Sequence, residues 1–139
     1  MSMVAAADNL ALAQAWIGAM IERDPAKMGA MAAEDVKVLE VAEGEVHEGR
    51  AYLIWAYEDL FTAYPDCTCE IVNAFAADDQ VLIEVQWRGT ETGPFRGQAP
   101  SGGKIDLRIG YIFRFVGGRI AEITEYYDAA TIERQLGAS

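Results

Sequence analysis

The sequence predicts an α+β domain in which helices come first and a run of long antiparallel strands follows. Apolar residues recur at helical spacing at Leu10, Ala13, Ile17 and Met20 or Ile21. They do so again at Leu53, Tyr57, Leu60 or Phe61 and Tyr64. From Cys69 onward the period changes to two and stays there. Asp78-Asp79 and Gly117-Gly118 break the alternating runs where hairpin turns belong.

Taken in order, Asp8 or Asn9 is placed to cap the first helix. Asp24-Pro25 ends it and opens a shorter second one, with Asp as cap and Pro at the first helical position. Met28 and Met31 form the inward face of that helix and read as core filler. Val36 to Val41 reads as a short strand, followed by a polar turn through Gly44. A third helix follows Gly49 and stops at Tyr64-Pro65-Asp66, because proline cannot continue it.

Cys69, Ile71, Asn73 and Phe75 then alternate along one strand. Val81, Ile83, Val85 and Trp87 oppose Glu84, Gln86 and Arg88 on the next. A Gly/Pro-rich connection leads to Ile105, Leu107, Ile109, Tyr111, Phe113 and Phe115, set against Asp106, Arg108 and Arg114. Thr131 to Leu136 closes the chain as a helical turn. A sheet of this kind must cover one face with the helices.

A chain of 139 residues suits one domain with one sizeable core. Its 52% hydrophobic content and mean hydropathy of +0.05 belong to a globular protein. The formal net charge of -11 opposes nucleic acid or an anionic membrane as partner, since both would repel it. No apolar run approaches a membrane span. Met1 to Asp8 has no basic stretch ahead of its apolar residues, which speaks against a signal peptide. Cys67 and Cys69 are too close in sequence for an ordinary disulfide, and with a single His they cannot build a standard zinc site. Two unpaired thiols fit a reducing cytoplasm.

The strand after Gly117-Gly118 has two readings. Ala121, Ile123, Glu125 and Tyr127 share one face. If that face is inward, burial raises the pKa of Glu125 and makes it a proton shuttle. Otherwise Ile120, Thr124 and Tyr126 face the core and Glu125 is solvated. On pattern alone the second has the edge.

Glu91 continues the parity of Val81 to Trp87 toward the apolar side, unless it turns into solvent beside Gly93-Pro94. Close approach of Glu91 and Glu125 would split their titrations and give a donor beside an acceptor. Arg108, on the polar side of its strand, is expected to pair with Glu84 or Asp106. Glu40, Glu43 and Glu45 read as a solvated rim. The segment Gly89 to Lys104 lacks phosphate-loop spacing and reads as a hairpin connection lidding a pocket.

Several short motifs in this order resemble the SnoaL-like polyketide cyclase family, within the nuclear transport factor 2-like superfamily. They are His47-Glu48-Gly49-Arg50, Tyr64-Pro65-Asp66, Gly89-Thr90-Glu91-Thr92-Gly93-Pro94, Pro100-Ser101-Gly102-Gly103-Lys104 and Gly118-Arg119-Ile120-Ala121-Glu122. Asp128 and Gln135-Leu136-Gly137 complete the set, so the likeness spans nearly the whole chain. The resemblance implies a cone, a curved antiparallel sheet wrapped around helices with an apolar pocket inside. It also implies a homodimer.

Cyclases of that family use an acid/base Asp in a His-Trp-Asp stretch on the last strand, and a His in a Gly-Thr-His motif. Here those stretches read Ile123-Thr124-Glu125 and Gly89-Thr90-Glu91. The resemblance therefore makes Glu125 the acid/base candidate and Glu91 its partner. It places His47 at the pocket mouth. Trp87, Tyr111 and Tyr127 read as core and substrate-binding wall, the two tyrosines by strand parity. A tyrosine hydroxyl there suits a developing oxyanion. The expected activity is cofactor-free, metal-free acid/base chemistry, of cyclase or isomerase type, on a small apolar carbonyl compound. The alternative is a non-catalytic ligand-binding or dimerisation module. The expected dimer surface is the outer sheet face, through Ile112, Val116 and Tyr126.

Overall fold

The computed structural model describes residues 3–137, with side chains from Ala5 onward. The reading of the N-terminal leader rests partly on Met1 and Ser2, which lie outside the described residues. Helix α1 spans Met3–Ile21, α2 Pro25–Ala30, α3 Arg50–Ala63 and α4 Ala129–Gly137. The strands are β1 (Ala32–Glu40), β2 (Glu45–Glu48), β3 (Thr68–Ala77), β4 (Gln80–Thr90), β5 (Lys104–Val116) and β6 (Arg119–Tyr126). They form one six-stranded sheet in the order β2-β1-β6-β5-β4-β3. Every pairing is antiparallel except β1 with β6.

The α+β order holds, with local corrections. Asp8 and Asn9 lie inside α1 rather than capping it. Asp24 does cap α2, its side chain accepting the Lys27 N–H at 3.1 Å, with Pro25 at the first helical position. The stretch read as a polar turn is a short 3-10 turn, Val41–Glu43, followed by β2. Strand β2 escaped the pattern because its side chains are mostly solvated and so show no apolar alternation.

Bulges break two of the alternations. On β3, Ile71 pairs with Val85 but Asn73 pairs with Glu84, so Val72 is an extra residue and the parity flips. Asn73 and Phe75 therefore turn outward, while Ala74 and Ala76 pack inward. On β6, Ile120 pairs with Phe115 and Glu122 with Arg114, leaving Ala121 as the extra residue. Each reading of this strand is thus right on one side of the bulge. Ile120 faces the core before it, and Ile123 and Glu125 face inward after it.

The core lies between the sheet's inner face and α1, α2 and α3. Trp16 is its hub, fully buried, with ring contacts to Tyr57 at 5.5 Å, Tyr111 at 5.7 Å and Phe113 at 5.3 Å. The connection from Glu91 to Gly103 is tied to the helices at both ends. The Gly93 N–H reaches the Ala63 carbonyl, and a Cβ at Gly93 would stand 2.2 Å from the Thr62 carbonyl oxygen. Only glycine allows that approach. At the other end a Cβ on Gly103 would press on Gln135 and Leu136 of α4.

Candidate active site

The sheet does not close completely on the helices. Between α3, α4 and the inner ends of β1, β4, β5 and β6 lies a cavity of about 490 Å³. Leu53, Leu60, Trp87, Ile105, Leu107 and Ile109 give it apolar walls. Its polar groups gather at two places, one around Glu125 and one around Glu91.

Register builds the first group. Parallel pairing of β1 with β6 sets Glu40 beside Glu125, and antiparallel pairing of β6 with β5 sets Tyr111 on the other side. All three side chains enter the cavity. Glu43 joins them from the 3-10 turn and accepts the Tyr127 hydroxyl proton at 2.9 Å. Tyr52 of α3 donates to Glu40 Oε1 at 3.1 Å. Tyr57 and Tyr111 also line the cavity, and their side chains interact with each other.

Burial pushes the Glu125 carboxyl up to about 8, with repulsion from Glu40 and Glu43 adding to it and Arg96 offsetting part. Glu125 is half-buried by area, but what it faces is the cavity. Glu40 is pushed up to about 7, chiefly by burial and then by Glu43. Glu43 is held low, first by the hydrogen bond from Glu40. The pair thus shares a proton that rests on Glu40. Burial also raises the phenols of Tyr57 and Tyr111 well above the ordinary tyrosine range. Both remain neutral donors at any physiological pH.

Glu91 stands apart from this group. It is buried, its Oε2 accepts from the Tyr64 hydroxyl at 3.0 Å, and its Oε1 accepts the Ser101 N–H at 2.8 Å. It borders the cavity, but both oxygens hold the connection in place. The pairing expected between Glu91 and Glu125 is therefore replaced by Glu40 with Glu125.

Trp87 is a buried wall residue, edge-on to Tyr64 at 5.1 Å. Tyr111 and Tyr127 line the cavity, with the Tyr127 proton committed to Glu43. His47 does not line it. Its ring stacks behind Tyr52 at 4.1 Å, with Nε2 3.4 Å from Glu45 Oε2 and 4.0 Å from Glu40 Oε2. Arg108 bonds to Gln86 rather than to an acid, and Asp106 pairs with Arg88.

Sequence reading missed Glu40, Arg96 and the place of Glu43 at the cavity edge, although Glu43 and Glu45 are exposed as a solvated rim requires. Glu40 is only 8% exposed, not part of a solvated rim. A signal was present, since Glu40 continues the parity of Val36 and Val38. Arg96 had none. It reaches the cavity from the connection through a left-handed backbone, φ 50°, with its Nε 3.5 Å from Asp59 Oδ2.

A curled sheet closing with helices over one apolar cavity is the architecture of nuclear transport factor 2-like domains. The chain belongs to the SnoaL-like polyketide cyclase family, whose model matches residues 10–136. Among solved structures, a provisionally assigned SnoaL-like polyketide cyclase from Jannaschia sp. CCS1 is 18% identical, with a TM-score of 0.88. The match covers 100% of this chain and 97% of that one. AclR from Streptomyces galilaeus, a provisionally assigned hydroxylase, is 22% identical with a TM-score of 0.82, over 96% of this chain and 83% of that one. TsrD from Streptomyces laurentii is 19% identical with a TM-score of 0.81, over 100% and 99% of the two chains. At these identities the likeness is one of fold. No curated protein matches the sequence.

Proposed function

We propose that this chain is a cofactor-free acid/base enzyme of cyclase or isomerase type, acting on a small, largely apolar carbonyl compound. The observation that carries the reading is Glu125, a carboxylate inside the cavity that no described residue hydrogen-bonds. Held near 8, it is a stronger base than a free glutamate and is still partly ionised at neutral pH.

In this reading Glu125 removes a proton from the carbon next to the carbonyl. The electron pair moves onto the carbonyl oxygen, where a hydroxyl of Tyr57 or Tyr111, both of which line the cavity, stabilises the oxyanion. Glu40, whose proton affinity lies close to that of Glu125, accepts or returns a proton at little cost. Glu91 has no chemical step and holds the cavity's border.

The test is hydrogen–deuterium exchange at the acidic carbon of 2-tetralone in D2O, followed by NMR. Exchange above the buffer rate, lowered by roughly a hundredfold or more in Glu125→Gln, is expected. A rate indifferent to that substitution would sink the assignment.

The second reading is a binding module on the same fold. It is favoured by the absence of any imidazole from the cavity lining and by the engagement of both Glu91 oxygens. Saturable binding of 2-tetralone with no exchange would establish it. We further place the chain in the cytoplasm, on its two free thiols, and in a homodimer through the outer sheet face.

A further inference from the structure

The polar end of the cavity is rich in acceptors and short of donors. Tyr52 and Tyr127 already donate their hydroxyl hydrogen bonds to Glu40 and Glu43. Arg96, the one cation lining the cavity among the described residues, is committed to Asp59 and lies over the Trp55 ring at 4.9 Å. What remains unsatisfied is carboxylate oxygen. Glu125 receives no hydrogen bond from a described residue. Glu40 accepts from Tyr52 through Oε1 and shares its proton with Glu43, while its buried Oε2 lies 4.0 Å from His47 Nε2.

Carboxylates clustered on an open surface are solvated and signify little. Here Glu125 and the buried Glu40 face a partly open cavity with apolar and aromatic lining, and the exposed Glu43 stands at its edge, so their charges repel more strongly than on an open surface. A group that is cationic, donates several hydrogen bonds and tolerates ring faces would complete the arrangement. Tyr52, Tyr57, Tyr111 and Tyr127 put aromatic side chains in the lining of this cavity.

We propose that this end of the cavity binds a protonated amine, so that the ligand is an apolar molecule carrying a basic nitrogen. The ammonium sits between Glu125 and Glu40, and its hydrocarbon body lies along Leu53, Leu60 and Ile109. Such binding requires no proton transfer by Glu125.

The charged groups facing the site fix its pH dependence. Glu125 titrates near 8 and Glu40 near 7, while Glu43 is held low and stays ionised. His47 approaches Glu40 only from behind Tyr52. The phenols of Tyr52, Tyr57, Tyr111 and Tyr127, and the Cys69 thiol, are all raised and neutral below about pH 9. Arg96 acts on all three carboxylates and offsets part of their charge, and Glu91 and Glu133 also line the cavity. An ammonium therefore meets Glu40, Glu43 and Glu125 ionised at high pH and, of these three, chiefly Glu43 in acid.

The experiment is calorimetric titration of the full chain with 2-phenylethylammonium and with 2-phenylethanol, near-isosteres that differ in one polar atom and its charge. At about pH 9 the amine is expected to bind at least roughly tenfold more tightly than the alcohol. That advantage should shrink by about tenfold at pH 5, with the alcohol indifferent to pH. Near pH 7 amine binding should release protons, read from the dependence of the heat on the buffer's ionisation enthalpy. Glu125→Gln and Glu40→Gln should each reduce the preference at pH 9. Equal affinities at pH 9, proton uptake on binding, or an undiminished preference in both variants would overturn the proposal. The wild-type comparison needs no variant to fold. The neutral ketone exchange assay stands or falls separately, so the two readings fail in distinguishable ways.

Discussion

Glu40 and Glu125 are direct register partners on the parallel strands β1 and β6, and both side chains enter one cavity. Strand neighbours on the same face stand only about 5 Å apart at Cβ. Two carboxylates so placed cannot ionise independently, and each raises the cost of charging the other.

Glu125→Gln should stabilise the protein in alkali and leave it nearly unchanged in acid. The folded state holds the Glu125 proton up to about 8, against an ordinary value of 4.5. A raised acid pKa means the folded state binds the proton better than the unfolded chain does. The cost of ionisation is thus absent at low pH, grows from the unfolded value to the folded one, and is complete above both. Melting curves should separate variant from wild type at about pH 9, by on the order of a few kcal/mol, and converge near pH 4. The same offset at both pH values would mean a solvated carboxylate.

Glu40→Gln should lower the titration midpoint of Glu125, because Glu40 is largely ionised where Glu125 titrates. Infrared or carboxyl-carbon NMR titration reads that midpoint directly. A midpoint that stays or rises would show that Glu40 does not charge before its neighbour.

Glu91 should behave as a structural residue. Glu91→Ala removes the acceptor for the Tyr64 hydroxyl and the Ser101 N–H and should cost about 1–3 kcal/mol. Hydrogen exchange at Ser101 should speed up with it. Any Glu125-dependent ketone exchange should survive Glu91→Gln, and its loss there would restore Glu91 to the chemistry.

Gly93→Ala should be among the most damaging single changes in the connection. Its Cβ would stand 2.2 Å from the Thr62 carbonyl oxygen, and backbone on both sides leaves nothing to rotate away. A loss of several kcal/mol, or failure to fold, is expected from such overpacking. A Tm within a few degrees of wild type would mean the connection is not fixed to α3 as the structure has it.

Sedimentation at micromolar concentration should show a dimer. Register lines Phe75, Leu82, Ile112, Thr124, Leu39 and Val46 across all six strands of the outer face. On the same face Arg88, Arg108 and Arg114 sit among Asp106, Gln86 and Glu122, which offsets charge locally in a chain of net -11. Ile112→Glu should yield a monomer with an intact fold. A wild-type monomer would leave this row without a partner.

The sequence by itself determined the fold class, the order of the elements and the inner faces of β4 and β5. Period-two runs such as Val81 to Trp87 and Ile105 to Phe115 are long and unbroken, so burial on one side leaves a readable trace. It also marked Glu125 as worth attention, through the parity it shares with Ile123. Whether that parity faced inward turned on one extra residue, Ala121, whose bulge leaves no mark in composition. The partner of Glu125 was likewise a tertiary matter. Glu91 was close in motif, but Glu40 comes to its side only because β1 and β6, far apart in the chain, pair in parallel in the sheet. Local periodicity records which face of an element is buried. Which two faces then meet is set by strand order and register, and the chemistry of this cavity depends on that meeting.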